Sequence, residues 1–235
     1  MIKEEAVLEV IVCSVADAIE AEKGGANRLE IIRDFAHGGM TPPSELVRDV
    51  LAAVSLPVRV MLRERESYRV VDELEIEQLC TCAQEFAALE VDGLVLGFIQ
   101  NDQVDFDLAR RVLSYAPGLK VTFHHAFEEV RDPCEAIERL KGVGSVDRIL
   151  TAGGQGHWSE KIAQLESYER IASPEIKVLA GGGLNRQRIQ AIRANTTIDE
   201  FHVGRAVRLQ GRIDGPVQSA LVRELVKVLE EEKVV

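Results

Sequence analysis

Cysteine is scarce in this chain: Cys13, Cys80, Cys82 and Cys134 are the four in 235 residues, too few and too scattered for a disulfide-stapled secreted domain. Cys80 and Cys82 stand two apart in a stretch of helical periodicity. There they point to different sides, are badly placed to clamp one metal, and read as small buried apolar groups. Basic residues are also in short supply, 28 against 39 acidic ones, for a net charge of -11. That balance repels phosphate backbones and anionic membrane surfaces, so nucleic acid and membrane are excluded as partners. No apolar run approaches the roughly 20 residues of a membrane helix. Met1-Ile2-Lys3-Glu4-Glu5 lacks the apolar segment behind a basic start that marks a secretion signal. The expected location is the cytoplasm.

What the chain has in quantity is alternation. Short runs rich in Val, Ile and Leu recur between longer amphipathic stretches, as β-α units around a parallel sheet require. Eight runs read as strands: Val7 to Cys13, Arg28 to Ile32, Val58 to Arg63, Gly93 to Ile99, Lys120 to Phe127, Arg148 to Gly153, Lys177 to Gly183 and Glu200 to Val207. Ser14, Thr41, Asp132 and Asn185 stand ahead of amphipathic runs as capping residues, and Pro42 and Pro133 follow two of them at the first helical position. A last helix is expected from about Gly215 to Lys233. Eight strand-helix pairs with no linker between them predict an α/β fold, one (β/α)8 TIM barrel over residues 1–235. An open doubly wound sheet would favour a Gly-x-Gly-x-x-Gly turn after the first strand, where this chain has Cys13-Ser14-Val15-Ala16.

The outer face of a barrel strand packs on helices and must be apolar, so a charged residue within a strand marks the phase that faces inward. This turns Glu9, Ile11 and Cys13 into the barrel, then Glu30 and Ile32, then Arg59, Met61 and Arg63, then Thr122 and His124, then His202 and Gly204. The fourth, sixth and seventh runs are too apolar or glycine-rich for a phase. Such an interior is far more polar than the Val, Ile and Leu layers that usually fill a barrel. Its plain explanation is a set of internal ion pairs, Glu9 or Glu30 with Arg63. The functional one makes Glu30, Arg63, His124 and His202 catalytic, with Glu9 deeper and supporting. His124, ending its strand near the C-terminal mouth, is the leading general acid or base because histidine titrates near neutrality.

Three glycine-bearing turns follow the last three strands: Gly153-Gly154, Gly181-Gly182-Gly183-Leu184-Asn185 and Gly204-Arg205. Glycine lets backbone N–H groups approach an anion, and barrels commonly hold phosphate after the seventh and eighth strands. Gly153, Gly154, Gly182, Gly183, Asn185, Gly204 and Arg205 are therefore the expected phosphate-binding residues.

The segments Leu8-Glu9-Val10, Gly24 to Glu30, Gly38-Gly39-Met40-Thr41-Pro42, Val58 to Arg65, Asp92 to Gly97, Lys120 to His124, Asp147 to Thr151, Ala180 to Gly183 and Glu200-Phe201-His202 resemble, in order, those of the copper homeostasis protein CutC family. The resemblance runs from residue 8 to about 206. It implies a TIM barrel, a cytoplasmic role in copper homeostasis with copper as the bound ion, and a homodimer. It also implies cysteine ligands, but the family pattern Glu-x-Cys-x-Asp-Ser reads Glu9-Val10-Ile11-Val12-Cys13-Ser14 here, and Arg-Ile-Glu-Leu-Cys reads Arg28-Leu29-Glu30-Ile31-Ile32. Both usual thiols are replaced, by Ile11 and Ile32. Cu(I) prefers soft ligands, which leaves Cys13 as the candidate metal residue, with Met61 as a thioether inside. The other expectation is an enzyme acting on a small phosphorylated or carboxylated metabolite.

Overall fold

The computed structural model describes residues 5–231. Eight parallel strands close into a ring: β1 (Val7–Val12), β2 (Arg28–Ile31), β3 (Val58–Met61), β4 (Gly93–Leu96), β7 (Lys120–Phe123), β8 (Val146–Thr151), β9 (Lys177–Ala180) and β10 (Glu200–Val203). They pair in sequence order, and β10 returns to pair with β1. A small antiparallel hairpin, β5 (Ile99–Gln100) and β6 (Gln103–Val104), stands above β4. Around the ring run α1 (Val15–Gly24), α2 (Ser44–Ala53), α3 (Glu73–Ala88), α4 (Phe106–Leu113), α5 (Pro133–Leu140), α6 (Trp158–Ala172), α7 (Arg186–Asn195) and α8 (Ser219–Glu230). The expected TIM barrel is the observed fold. Glu232 and Lys233, expected within the last helix, lie outside the described residues.

Local chemistry explains most helix starts. Ser14 accepts from the Asp17 amide, Asp132 from Glu135 with Pro133 in the first turn, and Asn185 from Arg188. Thr41 is a correction. Its hydroxyl is used by the backbone of Arg63, at 2.9 and 3.1 Å, and α2 begins at Ser44 after Pro43 instead. Several strands are also shorter than the apolar runs that encode them, because the residues beyond Met61, Leu96, Phe123, Ala180 and Val203 turn into loops over the mouth.

The two faces of the ring bury separate apolar clusters. Leu8, Val10, Leu29, Ile31, Val58, Val60, Val121, Phe123, Phe201 and Val203 belong to the large cluster under the helices, whereas Ile11, Ile32, Met61 and Val95 form a small one inside. The phase read from the charged residues is therefore the observed one. Register extends it to the runs that carried none: Val95 pairs with Met61, and Leu150 with Leu179, placing these side chains inside. Cys80 is buried in α3, while Cys82 is only half-buried.

Candidate functional site

The lower half of the barrel is a closed lattice of ion pairs. Arg59, fully buried, reaches Asp92 at 2.9 Å and both oxygens of Asp147 at 2.8 Å, and it touches the Thr122 hydroxyl at 3.1 Å. Arg28 bridges Glu9 and Glu200, and Arg148 binds the same Glu200 carboxylate at 2.6 and 2.9 Å. Register makes the lattice possible, since β1, β2 and β3 set Glu9 beside Arg28 and Glu30 beside Arg59.

Above the lattice lies a cavity of about 590 Å³ that opens at the C-terminal mouth. Glu30 and His202 line its deep end, with Ile11, Ile32 and Met61 as apolar wall. His202 Nδ1–H donates to the Glu9 carboxylate at 2.8 Å, and its Nε2 stands 3.5 Å from Glu30. Burial opposes a charge on His202, but Glu30 and Glu9 outweigh it and hold its pKa above the ordinary imidazole value. Burial pushes Glu30 up to about 7; the second carboxylate at Glu9 adds to this, and His202 and Arg28 offset part of it. Glu9 itself is held well below the usual carboxylate range: burial would raise it, but Arg28 and His202 outweigh that cost. Glu30 Oε1 has no hydrogen-bond partner.

His124 sits across the cavity at the end of β7, where the chain turns into a short 3-10 helix, His125–Glu129. Its Nδ1 accepts the Ala126 amide at 3.3 Å, while its buried Nε2 has no partner. Burial, then the charges of Arg63 and His125, drive its pKa well below the usual value. It is thus a neutral ring with the proton on Nε2, which corrects the expectation of a histidine titrating near neutrality. Glu30 is the group tuned to that range. Gly97 makes room for this imidazole, since a Cβ there would lie 2.6 Å from Nδ1.

Arg63 lines the rim but pairs with neither Glu9 nor Glu30, as a bland ion-pair explanation would have it. Its guanidinium is taken by the carbonyls of Arg65 at 2.8 Å, Gly38 at 3.4 Å and Glu66, and it lies 4.5 Å over the Tyr68 ring. Two further guanidiniums, Arg188 and Arg205, line the same rim. Arg188 stacks 4.4 Å over Trp158 and donates to the Gly183 carbonyl. Sequence reasoning passed over Arg188; its position in the first turn of the helix after the seventh strand was the available signal.

The glycine turns divide. Gly182, Gly183, Asn185, Gly204 and Arg205 line the cavity, with Gly182 and Gly183 both at φ +79°. Asn185 spends its side chain on the α7 cap, and Gly204 is required by packing, since a Cβ there would fall 2.9 Å from Ile11 Cδ1. Gly153 and Gly154 are a correction. They do not line the cavity, and the amides of Ala152 and Gly154 are already taken by the Glu128 carboxylate at 3.3 and 2.7 Å, which also binds Thr151 and His125. A side chain of the protein occupies that anion slot.

Cys13 is half-buried and outside the cavity lining, with its thiol 3.7 Å from an Arg208 nitrogen. Burial pushes it up to about 11, the Arg208 charge opposing only part of the shift. Among the described residues no group of three or more His, Cys, Asp or Glu is placed to hold a metal ion.

Fold and site define a (β/α)8 barrel with a polar cavity at the C-terminal end of its strands. The CutC family profile matches residues 6–207, and the chain belongs to the CutC family. It is 31% identical over 209 residues to a CutC family protein of Histophilus somni, covering 88% of this chain and 86% of that one. It is 34% identical over 196 residues to the human copper homeostasis protein cutC homolog, covering 83% and 71% respectively. A crystal structure of CutC from Streptococcus agalactiae superposes with a TM-score of 0.78 at 25% identity, over 88% of this chain and 99% of that one.

Proposed function

We propose that the barrel is an enzyme whose active site takes a small anionic metabolite, with the charged end of the ligand at the Arg188 and Arg205 rim and its reacting end against Glu30 and His124. One observation carries this reading: Glu30 Oε1 and His124 Nε2 are buried polar atoms without partners, and both residues line one cavity ringed by guanidiniums. Buried polar groups are ordinarily paired, and leaving one unmade costs about 1–3 kcal/mol. A ligand that supplies the missing acceptor and donor removes that cost. The family resemblance is what supports a cytoplasmic location; separately, no helix among the described residues is long and apolar enough to cross a membrane.

Copper homeostasis is the second reading, favoured by the names of relatives. The donor set does not fit Cu(I): a lone thiol kept protonated by burial, with Ile11 and Ile32 where the resemblance expects cysteines, offers no pair of thiolates. Competition against a Cu(I) chelator is expected to give the same affinity for the wild type and Cys13→Ser, no better than an unrelated single-thiol protein. Tight, Cys13-dependent binding would restore copper as the cargo.

The enzyme reading is tested by calorimetric titration with inorganic phosphate and glycerol 3-phosphate. Arg188→Ala and Arg205→Ala are each expected to weaken binding about tenfold, the ~1.4 kcal/mol of one lost charge-assisted hydrogen bond. Affinities unchanged in both variants would remove the rim from the site.

A further inference from the structure

We infer that Glu30 and His124 act as a pair on a carbonyl, so that the cavity takes a short phosphorylated α-hydroxy aldehyde or ketone and enolises it. The inference rests on the anion-binding reading above and supplies its reaction class. Of the buried side-chain nitrogens and oxygens without a partner among the described residues, two belong to residues lining this cavity: Glu30 Oε1 and His124 Nε2. They are chemically opposite. A carboxylate oxygen accepts, whereas the Ala126 amide on Nδ1 leaves the neutral imidazole with its proton on Nε2, where it can only donate.

A carbonyl compound with an acidic C–H satisfies both. The carbonyl oxygen accepts from His124 Nε2–H, and Glu30 Oε1 takes a proton from the adjacent carbon. The C–H pair becomes the C=C bond of an enediolate, the carbonyl pair moves onto the oxygen held by Nε2–H, and Glu30 becomes the carboxylic acid. Return of that proton to the carbon it left gives back the substrate; return to the neighbouring carbon gives the isomer once the hydroxyl proton of the enediolate has passed to the former carbonyl oxygen, with no oxidant or second reactant. Burial tunes Glu30 close to neutral pH, as a base that must both take and return a proton requires. His202, tied to Glu9 at 2.8 Å, faces the other Glu30 oxygen at 3.5 Å and is a positioning residue for it.

The phosphate follows from where the charges are. The deep end is walled by Ile11, Ile32 and Met61, while Arg188, Arg205 and the Gly182-Gly183 turn stand at the rim. A ligand with its anion separated from its carbonyl spans the two. A 2-oxo acid would bring its carboxylate against Glu30 between the apolar walls, away from the rim guanidiniums.

The experiment follows deuterium wash-in by proton NMR in D2O, with the full chain and dihydroxyacetone phosphate, ribulose 5-phosphate and pyruvate as probes, alongside the calorimetric affinity for glycerol 3-phosphate. Exchange of the C–H next to the carbonyl of a sugar phosphate is expected at about 10³ times the buffer rate, the scale of a positioned general base. Glu30→Gln and His124→Gln are expected to abolish exchange, and a circular dichroism spectrum and cooperative thermal unfolding like those of the wild type show that they fold. Glu30→Asp is expected to keep part of the exchange. Glycerol 3-phosphate binding without exchange of any probe overturns the enolisation and leaves the anion site standing. Exchange of pyruvate alone overturns the assignment of a phosphorylated substrate, exchange that survives Glu30→Gln overturns the base, and neither binding nor exchange overturns both readings.

Discussion

In the lower half of the barrel every guanidinium nitrogen of Arg59 has an oxygen within 3.1 Å, whereas in the upper half Glu30 and His124, almost as deeply buried, each keep an atom with none. Both regions are polar, and both would have been equally arresting in the sequence. Polarity inside a barrel is therefore a poor marker of chemistry. A charge whose partners come from the neighbouring strands is structure; a polar atom that the fold declines to satisfy is addressed to something else.

The comparison breaks most readily at Arg59. Arg59→Ala would leave Asp92 and Asp147 without their common cation, and removing one member of a buried pair costs about 3–5 kcal/mol. Both carboxylates are partly exposed, so the loss is expected near the lower figure. Urea unfolding measures it, and a loss below about 1 kcal/mol would mean that the lattice is ornamental.

Glu30→Gln sharpens the contrast from the other side. Its folded pKa near 7 lies above the ordinary 4.5, so the folded state holds a proton that the unfolded chain has released, and the wild type loses stability as pH rises through that window. His202, whose folded pKa is also raised, acts with the same sign: its contribution is present below the ordinary imidazole value of 6.5 and is lost as pH rises through its folded pKa. The variant should match the wild type at pH 5 and exceed it at pH 8, by about 1 kcal/mol once the lost contact to His202 is set against the relieved carboxylate. A variant less stable than the wild type at pH 8 would place Glu30 with the structural half. Smallest of all is Cys13→Ser, whose thiol lies outside the cavity lining and packs against the inner apolar cluster: a shift within about 0.5–1 kcal/mol in thermal unfolding is expected for a half-buried thiol.

The barrel itself was legible because eight apolar runs and their caps repeat one pattern, and the inward phase was legible because helices demand an apolar outer face. Strand ends were not, since residues past Phe123 and Val203 look like strand until no neighbour pairs with them. Within the site, the floor and its histidines could be read from alternation alone. The fates of Arg63, Gly153 and Gly154 could not, because they depend on loops: the backbone carbonyls of Gly38, Arg65 and Glu66 capture one, and Glu128 fills the turn formed by the others. Thr41 shows the same limit on a smaller scale, a capping residue drawn away by a neighbouring strand end.

The seam between β1 and β10 has a consequence for the order of events in the cell. Glu9 meets His202 across 193 positions of chain, and Asp17 meets Arg208 across 191. Contacts of such separation form late, after the entropy of closing the intervening loop has been met. A nascent chain that has not yet delivered its last strand therefore carries Glu30 with no imidazole beside it, and the ribosome must release nearly the whole polypeptide before the cavity exists at all.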